Sequence, residues 1–100
     1  MRITLVKKVL ADGSPCAKCH DVEQKLLEKD QMRFIDEVLV ADERDPGSAG
    51  FQLASKHAVS RAPFFVVENA GGRGDVEVFT VYFKFAKEVL QPLENAAAAS

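Results

Sequence analysis

Apolar and polar positions alternate from Arg2 to Leu10: Ile3, Leu5 and Val9 fall on one side, Val6 and Leu10 on the other. This predicts a strand with both faces covered. "ADGSP" then interrupts it with turn chemistry, and the period changes. Cys19, Val22 and Leu26 share a face at helical spacing, with Ser14 as a candidate cap and Pro15 suited to the first turn. The helical pattern fades near "EKDQMR".

A second strand is predicted over roughly Asp36 to Ala41, where branched residues concentrate. The loop "ERDPGS" follows, and Phe51, Ala54 and Ala58 outline a short helix between Ser48 and His57. "APFFVVE" predicts a third strand opening on a proline, where a missing donor is tolerated. "NAGGRG" predicts a hairpin connection and "DVEVF" its returning strand. Tyr82, Phe85, Ala86, Val89, Leu90 and Leu93 outline a last amphipathic helix, which Pro92 is expected to help terminate. The order β-α-β-α-β-β-α predicts an α/β fold, a four-stranded mixed sheet flanked by helices. Residues 1–93 form one domain in this reading, and residues 94–100 a disordered tail.

The chain of 100 residues has one domain's length, and its 47% apolar content suffices for a core without disulfide staples. The formal charge is −2 and basic residues are scattered, which gives no footprint for nucleic acid or an anionic membrane. Lys7 and Lys8 read as a solvated strand end, or as guides for an anionic thiol. The segment "MRITLVKKVLADG" lacks signal-peptide features, and no segment reaches membrane-spanning length. The expectation is a cytoplasmic protein. In that reducing compartment, two closely spaced cysteines point to catalysis or metal binding rather than a structural bridge.

Both cysteines lie in "SPCAKCHD". Covalent haem attachment fits the string C-x-x-C-H but also needs a second axial ligand, for which Met32 and His57 are the internal candidates, and a haem pocket. A closed zinc site needs four ligands, and beyond Cys16 and Cys19 only the isolated His20 and His57 remain. A redox dithiol requires least. At a helix start, Cys16 gains from the partial positive charge of unpaired amides, while Cys19 sits one turn deeper. Lys18 and a protonated His20 are candidate tuning residues; Asp12 and Asp21 oppose them.

The strand–CxxC–helix order, the loop in "VLVADERDP", "LASKHAVSRAP" before the third strand and the closing hairpin and helix together resemble the thioredoxin superfamily, especially its small thioredoxin- and glutaredoxin-like members. The resemblance covers about Arg2 to Leu93 and implies a thioredoxin-like fold. It implies that the Ala62–Pro63 bond is cis and packs against the dithiol, and that Ala62 offers its backbone to substrate. Ala17–Lys18 stand where thioredoxins have Gly-Pro, so the resemblance implies no particular redox potential. Gly71–Gly72 fall in the hairpin rather than after the last strand, where glutaredoxins use such a pair to hold glutathione.

The resulting expectation is a thiol–disulfide oxidoreductase in which Cys16 attacks and Cys19 resolves, with Ala62 and Pro63 binding substrate. Its partners are a disulfide-containing protein or small thiol, and a recycling reductase or glutathione. It needs no metal or organic cofactor, with glutathione a candidate co-substrate. The alternative is a non-catalytic binding module whose dithiol is vestigial or holds a metal. His57 reads as a helix-end residue. Phe64, Phe65, Phe79, Phe83 and Phe85 read as core, and Tyr82 as core with the site as second choice.

Overall fold

The alternation in the first segment makes β1 (Arg2–Val9), and burial of both its faces sets it inside a sheet. It is followed by α1 (Ala17–Glu28), a 3₁₀ turn (Met32–Phe34), β2 (Glu37–Asp42), α2 (Ala49–Lys56), β3 (Phe64–Glu68) and β4 (Val76–Phe79). The chain closes with α3 (Tyr82–Phe85), a π-helical turn (Ala86–Leu90) and α4 (Gln91–Ala99). The computed structural model describes residues 1–99, so Ser100, the last residue of the expected tail, lies outside the described residues.

The four strands form one mixed sheet in the order β2-β1-β3-β4. β1 pairs parallel with β2 and antiparallel with β3, and β3 pairs antiparallel with β4. Side chains alternate across the sheet into two cores. Ile3, Leu5, Phe65, Val67 and Phe79 meet Leu26 of α1 and Phe85 and Leu90 of the C-terminal helix on one face. Val6, Phe64 and Val66 meet Phe51 and Ala54 of α2 on the other. Phe65 and Phe85 stack with ring centroids 3.8 Å apart and an 8° interplanar angle. The α/β class and the four-stranded mixed sheet expected from the pattern are therefore present.

Several local expectations are corrected. Ser14 does not cap α1: its amide and hydroxyl both donate to the Asp12 carboxylate, and Pro15 bridges back to Val9, so the helix starts two residues later with Cys16 as N-cap. At the other end Asp30 adopts φ 54°, and the Gln31 amide reaches the Leu26 carbonyl at 2.7 Å, closing α1 in a Schellman-type turn. Ala58 lies beyond α2 with φ 54° rather than on its apolar face. Phe83 is 73% exposed, because Tyr82 and Phe85 occupy the inward positions of that helix.

Pro92 does not terminate the last helix. The π-helical turn before it starts a new hydrogen-bond register, and Pro92 falls at the second residue of α4, where a missing N–H costs little. The segment expected to be disordered continues as helix to Ala99. Leu93 packs on the core, and the Glu94 carboxylate accepts a 2.9 Å hydrogen bond from the buried Gln31 side chain, which anchors the helix beyond the proline.

Helix α2 approaches β2 through Gly50. A Cβ there would lie 2.3 Å from the Val40 carbonyl carbon and 2.4 Å from the Ala41 nitrogen, strand atoms that cannot rotate away. Alanine in a helix interior is favoured over glycine by about 1 kcal/mol, whereas overpacking costs about 1–3 kcal/mol. With backbone as the obstacle, overpacking wins. Gly50→Ala is expected to lower stability by about 1–2 kcal/mol in urea unfolding, and Gly50→Val to lower it further. An unchanged midpoint for both variants would contradict this packing.

Candidate active site

Two of the predicted site residues meet at the end of β1. Cys16 is the N-cap of α1 with φ −73° and ψ 122°, and its Sγ accepts the Cys19 amide at 3.4 Å, the bond a serine cap would make. Its own amide donates to the Lys8 carbonyl at 3.3 Å. The Lys8 amide in turn donates to Cys19 Sγ at 3.4 Å. Both backbone polar groups of one strand residue are thus spent on the dithiol.

The register explains why this edge is open. β1 and β3 pair from Arg2↔Glu68 to Val6↔Phe64, and two further residues would set Ala62 opposite Lys8. The cysteine turn fills that slot instead. Pro63, without an N–H, precedes the first paired residue of both β3 ladders and deprives neither of a donor. The Ala62–Pro63 bond is cis, and the Ala62 carbonyl accepts from Cys16 Sγ at 4.0 Å. Cys16, Ala62 and Pro63 consequently line one open groove of about 550 Å³, with Lys8, Lys18, Lys25, Arg61 and Tyr82 around it.

The two thiols are free and unequal. Cys16 is half-buried and Cys19 is 4% exposed. Partial burial opposes ionisation of Cys16. Hydrogen bonds from the Cys19 thiol and from the amides of Cys19 and Lys18, with the charge of Lys8, outweigh it and hold the thiol below its ordinary pKa. Burial, together with donation to Cys16 and the charge on Cys16, pushes Cys19 up to about 12. The cap bond that starts the helix is therefore also a bond that favours the Cys16 thiolate.

Lys8 joins Lys18 among the groups that act on Cys16. Lys18 acts through its backbone amide, and the side-chain charge that favours the thiolate is that of Lys8. Lys8 is held over the site by Glu43 at 3.2 Å and by the Ser60 carbonyl at 3.2 Å. His20 is exposed and lines a smaller hollow behind the cysteines, with Lys7, Glu23 and Val40. His57 is the C-cap of α2 and lines neither of the hollows that Cys16 borders. Tyr82 packs on the core and also borders the groove, its hydroxyl donating to Gln31 Oε1 at 2.6 Å. Lys25 and Arg61 were missed as groove residues. Only the position of Arg61, two residues before Pro63, offered a signal.

Among the described residues, no group of three or more His, Cys, Asp or Glu side chains is arranged to hold a metal ion, and no helix is long and apolar enough to cross a membrane. Compared with protein-family models, with curated proteins and with solved structures, the chain gives no match.

Because the thiolate is the reactive form, alkylation should separate the two cysteines by pH. Iodoacetamide is expected to modify Cys16 with a midpoint below the roughly 8.5 of an ordinary thiol. Cys19 should stay unmodified until strongly alkaline pH. Lys8→Met removes a positive charge that favours the thiolate, so it should move the Cys16 midpoint upward. Peptide mass spectrometry after quenching reads all three, and preferential labelling of Cys19 would contradict the assignment.

Proposed function

We propose that the chain is a thiol–disulfide oxidoreductase of thioredoxin-like fold. The observation that carries the reading is the inequality of the pair: an accessible thiol favoured as thiolate at a helix N-cap, with a buried, protonated thiol one turn deeper. The cysteine turn on the open edge of β1 and the Ala62–Pro63 segment facing it lend further support.

In this reading the Cys16 thiolate attacks one sulfur of a substrate disulfide. A bond forms between Cys16 and that sulfur, the substrate S–S bond breaks, and the other sulfur leaves as a thiolate that takes a proton from water. Cys16 then no longer carries charge or accepts from Cys19. Two of the three effects that raised the Cys19 pKa are lost, burial remains, and the Lys8 amide is still positioned to stabilise a thiolate. Cys19 gives up its proton to water and attacks Cys16 Sγ. The Cys16–Cys19 bond forms, the bond from Cys16 to the substrate breaks, and the second substrate sulfur leaves as a thiolate that takes up a proton from water. The substrate has gained two electrons, and the protein has lost two as a Cys16–Cys19 disulfide. An external dithiol reductase or glutathione restores the pair.

Ala62 and Pro63 form the docking edge, with the Ala62 carbonyl beside the attacking sulfur. The chemistry calls for no metal or organic cofactor.

Substitution of each cysteine tests the sequence of steps. Cys16→Ser is expected to abolish reduction of a disulfide substrate supplied with dithiothreitol. Cys19→Ser should accumulate a mixed disulfide through Cys16, visible by mass as a substrate adduct that added thiol releases. Near-wild-type turnover in both variants would remove the mechanism. A Cys19→Ser protein that traps no substrate, yet purifies with bound zinc, would favour the metal-holding binding module.

A further inference from the structure

The groove beside Cys16 is strongly cationic on a chain whose net charge is −2. Lys8, Lys18, Lys25 and Arg61 line it, and Asp21 is the one acidic residue among them. Lys8 is ion-paired with Glu43. Lys18 and Arg61 are exposed and form no ion pair among the described residues, and Lys25 has only the face of Tyr82, 5.7 Å away. Lys7, Arg44 and Arg2, by contrast, are ion-paired with Glu23, Asp42 and Glu37. Three unpaired cations around one reactive sulfur form a field to which an anionic substrate is complementary.

We propose that this groove selects protein disulfides whose cysteine is flanked by acidic residues. The inference rests on the oxidoreductase reading and adds the substrate class to it. Lys18 and Lys25 are seven residues apart on α1, a span of about 10 Å, or roughly three residues of extended chain. Arg61 stands on the opposite wall, next to the Ala62 docking edge. Charges on both sides of Cys16 suit a peptide with acids before and after its cysteine better than a single carboxylate. Asp21, facing the same groove, subtracts from the attraction and disfavours no neutral substrate.

The test compares three peptide disulfides identical except for flanking residues, which are acidic, neutral or basic, with glutathione disulfide as a fourth substrate. Each is reduced by the full-length protein with dithiothreitol as recycling reductant. The acidic peptide is expected to exceed the basic one in kcat/KM by roughly five- to tenfold at low salt, as two or three exposed charge pairs provide. High salt should erase most of the difference. Lys18→Glu combined with Arg61→Glu should bring the ratio to one or invert it, a comparison internal to the variant.

Equal rates for the three peptides would overturn the inference while leaving the chemistry intact. So would a preference that survives the double substitution, or glutathione disulfide outpacing the acidic peptide. Reduction of none of the four substrates would instead overturn the oxidoreductase reading, and the inference with it.

Discussion

The backbone of Lys8 is the point on which the site depends. Its carbonyl receives the Cys16 amide and its amide reaches Cys19 Sγ, so one strand residue fixes the start of α1 and the depth of the second thiol. That is possible because β1 is central in the sheet yet unpaired by β3 at its last residues. A buried strand with an unsatisfied edge would be costly. Here the cysteine turn supplies the partners, and the same bonds that complete the sheet position the dithiol.

Unequal thiols follow from that attachment. Cys16 sits at the mouth of the helix, where amides converge, and Cys19 sits behind it against β1. Since each thiol affects the other's ionisation, a covalent bond to Cys16 also changes Cys19. The proposed two-step exchange uses this coupling and no additional group.

The far wall of the groove depends on a contact remote from the sulfur. Buried Gln31, at the end of α1, accepts from the Tyr82 hydroxyl and donates to Glu94. It joins the first helix to the last and fixes Tyr82 at the groove's border. The stacked Phe65 and Phe85 rings hold the same helix on the sheet. The charges of Lys18 and Arg61 on the rim are left exposed and without an ion pair among the described residues, whereas Arg2 and Lys7 on β1 pair with Glu37 and Glu23.

Local periodicity was sufficient to read the strands β1 to β4 and the helices between them, because burial on a sheet face or helix stripe repeats every two or about 3.6 residues. Cys16 and Cys19 were legible from their C-x-x-C spacing at a helix start, and Ala62 and Pro63 only through the family resemblance. Local reading missed at Ser14, Phe83 and Pro92. A competing Asp12 carboxylate, the inward turn of Tyr82 and Phe85, and the Gln31–Glu94 anchor decided those positions. Tertiary structure alone selected Lys8 as the tuning charge and gathered Lys25 and Arg61 around the sulfur, since these residues meet only when strand register and helix packing bring distant segments together. The sequence by itself determined which chemistry is available. The register of β1 against β3 decided where that chemistry is exposed and which charges face it.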